Sequence, residues 1–382
     1  MASPALAGGG DDEHVSARGE LGVEYDDNVH RVEQIPTVDA VPVASPLTRA
    51  VVAWSASDRL SDHQDVAFSV RGGMKLFAAS AARSENVGIV DTSGAWRIAP
   101  TPRTRIGLTA TYYEAIQAGT YTERALSLDA RDFRSLSPSL RLARSFEGWG
   151  TVGMLAGYRT FVYKPLRSYD FQAPVLGLEH RLTRETADGD ADWDVISAVG
   201  VELRRFAGVR LVEQAGACAP VTTNQDLGNG QPCAIFDPAG TRHVDQFFTG
   251  QVDVTRTGRV LVGAGYAIQW NRSNSDTESL VRHVGSVRFT TPLPLGLYLA
   301  ARAELVYVTY PQRVPIAYGG PSGQVSASIE EETRSQVRAE LSRDLTDHLQ
   351  LVGRYSLYAN ALGQGQYRRQ TAMLSLVYTI DD

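Results

Sequence analysis

The sequence predicts an all-β protein: a single antiparallel transmembrane β-barrel of about sixteen strands, with eighteen as the alternative. Three observations lead to this fold class. Apolar and polar residues alternate with a period of two along most of the chain. The connections between these segments alternate between short and long. Aromatic residues collect at both ends of the apolar faces, where the rim of a membrane barrel would lie.

Composition excludes several other classes. The chain has 382 residues, with Lys+Arg 37 against Asp+Glu 43 and a net charge of −6, so it lacks the basic surplus expected of a nucleic-acid-binding protein. Hydrophobic residues make up 43% and charged residues 21%, which argues against a disordered chain. No run of about 18 apolar residues occurs, so no transmembrane helix is predicted.

The alternation begins near the N-terminus and continues to the C-terminus. Phe68 and Val70 oppose Ser69 and Arg71, and the same split recurs throughout the chain. Many segments exceed ten residues, longer than the usual strand of a soluble protein. The predicted strands are 17–26, 50–60, 65–77, 86–99, 103–115, 134–146, 150–163, 169–183, 193–208, 241–257, 259–271, 277–292, 295–310, 332–345, 348–361 and 366–380.

Loop lengths predict how the barrel sits in the membrane. Short connections, such as 100–102, 147–150, 257–258 and 346–347, alternate with long ones at 27–49, 116–133, 209–240 and 311–331. Outer-membrane barrels have short periplasmic turns and long extracellular loops. An even strand number then places both termini in the periplasm. A soluble sandwich has no reason to sort its loops by side.

The chain divides into a short tail and the barrel. Residues 1–16 are predicted to be a signal-peptide remnant or disordered tail, because Ala5-Leu6-Ala7 has the A-x-A pattern of a cleavage site. A chance match or a leftover linker is the alternative. Residues 17–382 form the predicted outer-membrane barrel, surrounded by outer-membrane lipid.

About sixteen strands enclose an aqueous channel, whereas eight are filled by side chains. The polar face of the alternation carries many arginines with acidic and aromatic companions. The charged groups form either a rigid network within the wall or a polar path for an anionic or hydroxyl-rich solute. The rings either stack on sugar faces or pack against folded-in loops. The pore-lining candidates are Arg71, Arg105, Arg141, Arg159, Arg181, Arg204, Arg282, Arg288, Arg302, Arg338, Arg354, Glu179, Glu202, Glu304, Glu340, Phe161, Tyr298 and Tyr358.

The cysteines and histidines do not form a pattern typical of an enzyme. Cys218 and Cys233 are predicted to form a disulfide that closes a loop of about 15 residues, with two free thiols as the alternative. The histidines show no metal-binding spacing, so neither a metal nor another cofactor is expected. Only His243, beside Asp245 in the sequence, suggests a functional pair, and a solvated surface histidine is the commoner alternative.

One segment resembles a known family. Tyr25-Asp26-Asp27-Asn28-Val29-His30-Arg31 is similar to the segment that opens many porin-like barrels, including barrels of Gram-negative exopolysaccharide operons. The resemblance implies an outer-membrane location and a conduit that helps an exported polysaccharide cross the outer membrane. Periplasmic and inner-membrane export components would be its partners. A general small-solute diffusion porin and a non-conducting structural or adhesion barrel are the alternatives. The oligomeric state is left open.

Overall fold

A computed structural model describes residues 13–29, 42–117, 132–164, 167–186, 192–214, 233–276, 278–309, 334–360 and 367–381. Within these ranges, no helix has the length and apolar character needed to cross a membrane.

Sixteen antiparallel strands form one closed barrel, which confirms the predicted fold class. Two further short strands, β10 and β11, pair with each other in the connection that follows β9. The strands are β1 Glu13–Asp26, β2 Ser45–Ser61, β3 Gln64–Phe77, β4 Val87–Thr101, β5 Thr104–Gln117, β6 Phe133–Phe146, β7 Gly150–Tyr163, β8 Phe171–Glu185, β9 Asp192–Val209, β10 Leu211–Gln214, β11 Cys233–Phe236, β12 Arg242–Thr257, β13 Leu261–Ser273, β14 Leu280–Leu293, β15 Leu297–Thr309, β16 Ser335–Asp344, β17 Leu349–Ala359 and β18 Arg368–Asp381. Short 3₁₀ turns cover Ser80–Glu85, Arg167–Tyr169 and Pro294–Gly296.

Each barrel strand pairs with its sequence neighbours, apart from two junctions. β9 pairs with β12 across the β10–β11 hairpin, and β1 pairs with β18 to close the barrel. The turns between β2 and β3, β4 and β5, and β6 and β7 lie at one end, here called the short-turn end. The opposite end, which carries the connections from β1 to β2, β5 to β6 and β15 to β16, is the long-loop end.

Alternation along each strand sorts side chains to the two faces of the wall. In β1, Leu21 and Val23 are 63% and 64% exposed on the outer face, whereas Glu20 and Glu24 are buried on the inner face. A closed barrel has no sheet edge, so all its strands pair their backbone groups within the wall. Its outer face can then be apolar and contact lipid. The outer face therefore carries the apolar half of the pattern.

Burial on the inner face changes from one end to the other. In β5, Arg105 near the short-turn end is exposed, whereas Tyr113 and Ala115 near the long-loop end are buried. β18 follows the same trend, because Arg369 is buried at the long-loop end while Asp381 is exposed. The interior is consequently wet towards the short-turn end and packed towards the long-loop end.

Some predicted boundaries are wrong. β1 begins at Glu13 rather than at residue 17, because Glu13–Ser16 continue the ladder opposite Ser55–Asp58 of β2. β2 begins at Ser45 rather than at residue 50, because the register with β1 continues to the Asp26–Ser45 pair. The β10–β11 hairpin was not predicted, since strands of four residues are too short to show a clear alternation.

Candidate functional site

The predicted lining residues all occupy inward positions of the strand alternation. Several of the charged ones form ion pairs, either between strands or along one strand. Arg141 Nη2 lies 2.7 Å from Glu179 Oε1, and Arg354 donates from Nε to Glu340 Oε2 at 2.8 Å. Arg302 pairs with Glu304 on β15. The inward set is Arg71, Arg105, Arg141, Arg159, Arg181, Arg204, Arg282, Arg288, Arg302, Arg338, Arg354, Glu179, Glu202, Glu304, Glu340, Phe161, Tyr298 and Tyr358.

Solvent reaches the inner wall towards the short-turn end. The side chains of Arg141 and Glu179 are 44% and 37% exposed, and the Arg302 side chain is 48% exposed. Charged pairs of this exposure interact weakly, because water screens them. Positively and negatively charged side chains are mixed along this part of the wall. It is therefore a hydrated surface on which neither charge predominates.

Several of the predicted lining residues are buried, which corrects their expected contact with solute. Phe161 is 1% exposed and Tyr358 is 4% exposed, so both rings are packed inside the barrel. This agrees with the alternative in which inner rings pack against the protein instead of stacking on sugar faces. Arg204, Glu202 and Arg282 are likewise buried. Tyr298, near the short-turn end, is 43% exposed and is available to a solute.

Aromatic side chains form a continuous row across neighbouring strands of the packed half. Successive ring centroids lie 5.2, 5.4, 4.9 and 5.2 Å apart. The row ends at β12, where the His243 imidazole stacks on Phe206 at 3.8 Å with an interplanar angle of 3°. Ring pairs at such separations stabilise the packing beyond their buried area. The row consists of Tyr113, Phe133, Phe161, Phe171, Phe206 and His243.

Two arginines pair with the buried Glu202 in this region: Arg159, whose side chain is partly exposed, and Arg204, which is buried. Arg159 Nη1 lies 2.8 Å from Glu202 Oε1, and Arg204 donates from Nε to Glu202 Oε2 at 3.1 Å. The guanidinium carbon of Arg204 also lies 3.8 Å from the centre of the Phe247 ring. Burial of a charged group is tolerated when it is paired in this way.

A compact, buried polar cluster lies beside the aromatic row. His243 Nε2 is 2.7 Å from Asp245 Oδ1 and 3.2 Å from Glu278 Oε2, and all three side chains are at least nine-tenths buried. Asn271 Nδ2 donates to Asp245 Oδ2 and to the Glu278 carbonyl oxygen, each at 2.9 Å. The Tyr169 hydroxyl donates to Glu278 Oε1 at 3.3 Å.

The local electrostatics of this cluster follow from burial. Burial raises the pKa of the Glu278 carboxyl to about 7, although the nearby His243 imidazole acts in the opposite direction. Burial also raises the pKa of the Tyr169 hydroxyl, and the negative charge of Glu278 adds to that shift. The sequence pattern points to His243 and Asp245 but gives no signal for Glu278, Asn271 or Tyr169. These residues lie on other elements, so no spacing pattern connects them.

Residues 25–29, the described part of the segment that resembles porin-like barrels, lie at the junction of the first and last strands. Asp26 ends β1 and contacts Arg369 of β18. The backbone N–H of Gln370 donates to Asp27 Oδ1 at 2.6 Å, and Asn28 Nδ2 donates to the Arg368 carbonyl oxygen at 3.2 Å. These polar side chains therefore clamp the closing seam of the barrel.

The predicted disulfide falls partly outside the described residues. Cys233 begins β11, opposite Gln214, whereas Cys218 lies outside the described ranges. The Cys218–Cys233 bond therefore stays a prediction.

No protein-family model matches the chain, and no curated protein matches it. Solved structures match it over almost its whole length. OmpT, an outer membrane protein of Vibrio cholerae, is 13% identical, with 97% of this chain and 99% of OmpT covered and a TM-score of 0.43. OccAB3 of Acinetobacter baumannii is 9% identical, with coverages of 97% and 99% and a TM-score of 0.40. OpdK of Pseudomonas aeruginosa, solved with vanillate, is 8% identical, with coverages of 97% and 99% and a TM-score of 0.44. Scores of this size assign no function to the chain.

Proposed function

We propose that the chain is an integral outer-membrane protein whose barrel is a conduit for an exported exopolysaccharide. The outer surface supports the membrane location. Large apolar side chains are exposed around the wall, including Val52 at 65%, Leu176 at 59% and Leu376 at 46%. Soluble monomers rarely expose so much continuous apolar surface, whereas a bilayer requires it. The long-loop end faces the cell exterior in this proposal, and both termini are periplasmic.

The observation that carries the conduit is the hydrated, mixed-charge inner wall towards the short-turn end. A single-sign ring would select small ions by charge. A wall of paired arginines and carboxylates instead offers many weak hydrogen-bonding positions, as Arg141–Glu179 and Arg97–Asp65 show. A flexible, hydroxyl-rich chain can slide along such a wall without one strong binding site. The exposed Tyr298 ring adds a surface on which a sugar face can stack.

The similarity of the Tyr25–Arg31 segment to barrels of exopolysaccharide operons supports the choice of polymer. In this proposal the polymer enters from the short-turn end, delivered by periplasmic and inner-membrane export components. The packed inner residues at the long-loop end favour a second candidate, a non-conducting structural or adhesion barrel, because they narrow the interior. A general small-solute diffusion porin is the third candidate.

Gene deletion in the native host, combined with bilayer recordings of the purified barrel, separates these functions. For the conduit, we expect surface polysaccharide to fall and polymer to accumulate in the periplasm, with recovery on complementation. Normal surface polysaccharide together with open channels would contradict the conduit and support a diffusion porin. Normal polysaccharide without measurable conductance would support the non-conducting barrel.

A further inference from the structure

The cluster of His243, Asp245 and Glu278 has the donor atoms of a metal site. We propose that these three residues bind one divalent cation of the zinc class near the long-loop end of the barrel interior. This inference does not depend on the proposed conduit. One imidazole nitrogen and two carboxylate oxygens, one from each residue, all lie within 4.8 Å of one another.

The spacing of these atoms suits a small cation. His243 Nε2 lies 2.7 Å from Asp245 Oδ1 and 3.2 Å from Glu278 Oε2. Zinc bonds of about 2.0–2.1 Å at tetrahedral angles separate neighbouring ligand atoms by about 3.3 Å. To open the cluster around an ion, the His243–Asp245 separation would have to widen by about 0.6 Å and the His243–Glu278 separation by about 0.1 Å.

The donor set selects the class of metal. Zinc accepts a mixture of imidazole and carboxylate ligands in a four-coordinate site. Calcium takes six to eight oxygen ligands and magnesium requires an octahedral set, which a cluster of one nitrogen and two carboxylates does not supply. Asp245 and Glu278 together carry two negative charges when ionised, and a dication balances them within this buried region.

An independent observation comes from Asn271. Its side chain is fully buried, and its Oδ1 atom has no hydrogen-bond partner although its Nδ2 atom contacts both Asp245 and the Glu278 backbone. Buried amide oxygens are normally satisfied, and an exception points to an ion or an ordered water. A water that completes the coordination of the cation would donate to this oxygen.

The surroundings hold the three ligands in place. Asn271 fixes the second oxygen of Asp245, Tyr169 fixes the second oxygen of Glu278, and the Phe206 ring fixes the plane of the His243 imidazole. Such outer contacts orient metal ligands and strengthen binding. Because the ligands come from β12 and from the connection between β13 and β14, the cation would fasten that connection to the barrel wall.

Zinc titration of the full-length barrel tests the proposal. The protein is folded in detergent, freed of metal with a chelator and titrated with zinc chloride by calorimetry. We expect one zinc ion per chain and a higher thermal unfolding temperature when zinc is present, because a ligand that binds only the folded state stabilises it. The same titration with magnesium or calcium chloride should show no comparable binding.

Isosteric variants identify the ligands without leaving a cavity. Asp245→Asn and Glu278→Gln should each abolish zinc binding. The shorter Asn271→Ala, which removes an outer contact and not a ligand, should weaken zinc binding by about 10- to 100-fold. Asp253→Asn is the matched control, because Asp253 faces the interior from the same strand but lies outside the cluster. The faster gel mobility of the unheated barrel verifies that each variant is folded.

Three results would overturn the site. The folded wild-type barrel could bind no zinc, the Asp245→Asn and Glu278→Gln variants could bind it as well as the wild type does, or magnesium could bind equally tightly. The first two results would leave the cluster as a hydrogen-bonded network only, and the third would exclude a zinc-class ion.

Discussion

The Nε–H group of Arg369 on the last strand donates a bifurcated hydrogen bond to the two carboxylate oxygens of Asp26 on the first strand, at 2.9 and 3.0 Å. Arg369 Nη2 donates to Asp26 Oδ2, and both side chains are buried. The two residues are separated by almost the whole sequence. Their contact lies in the segment that closes the barrel, beside the register that pairs Asp26 with Thr371. The polar residues at the end of β1 therefore help to hold the seam closed.

Asp26→Asn should destabilise the barrel by about 3–5 kcal/mol, because it removes the carboxylate charge that faces the buried Arg369 guanidinium. Urea-induced unfolding in detergent, followed by tryptophan fluorescence, measures this loss. Arg103→Ala is the control, because Arg103 and Glu147 form a 3.7 Å pair with exposed side chains. Such a pair contributes only about 0–1 kcal/mol. Equal unfolding free energies for the two variants would show that the seam contact contributes no special stability.

The proposed orientation predicts which end of the barrel is accessible from outside the cell. Ala239→Cys lies at the long-loop end and Glu147→Cys in a turn at the short-turn end, and both positions are exposed. In a chain whose Cys218 and Cys233 are replaced by serine, an impermeant thiol reagent applied to intact cells should label only Ala239→Cys. Both variants should be labelled after the outer membrane is permeabilised. The reverse pattern on intact cells would contradict the orientation.

The charged inner wall predicts a change in ion selectivity. Replacing Arg302 and Arg354 with glutamate should shift reconstituted channels towards cations, because fixed charges on a pore wall attract counter-ions. The same variant should assemble normally and reduce surface polysaccharide. Val199→Arg is the contrasting control, because Val199 is 57% exposed on the outer face and lies near the middle of β9. An arginine there should cost about 2–4 kcal/mol at mid-membrane and impair assembly.

Unchanged selectivity and normal surface polysaccharide in an assembled Arg302/Arg354 variant would contradict the conduit. Normal assembly of Val199→Arg would contradict the assignment of this face to lipid.

The aromatic row predicts different roles for two rings that the sequence placed in one class. Phe161→Ala should destabilise the barrel by about 3–5 kcal/mol, because it leaves a cavity between Phe133 and Phe171. Tyr298→Ala should change stability by no more than about 0.5 kcal/mol, because its exposed ring leaves no cavity. If the conduit is correct, Tyr298→Ala should instead lower polysaccharide export. Urea unfolding and surface-polymer assays measure the two effects, and the same stability loss in both variants would contradict this distinction.

The sequence by itself determined the sixteen barrel strands, apart from their exact ends, and the two faces of the wall. Alternation with a period of two is a local property of an extended chain, so Leu21 and Val23 could be assigned to one face and Glu20 and Glu24 to the other without a structure. Loop lengths then separated the two ends. The inward direction of Arg302 and Arg354 also follows from this pattern alone.

Only the tertiary structure decided which inward residues meet water and which meet each other. Arg302 and Arg204 have the same position in the alternation, yet Arg302 is exposed and Arg204 is buried against Glu202 and Phe247. Likewise, Asp26 meets Arg369, and Glu278 meets His243, through barrel closure and a folded connection. Alternation fixes the direction of a side chain. It carries no information about the register between strands that are distant in sequence, or about how much of the barrel interior is packed with side chains. Those depend on barrel curvature and on contacts that form only when the wall closes.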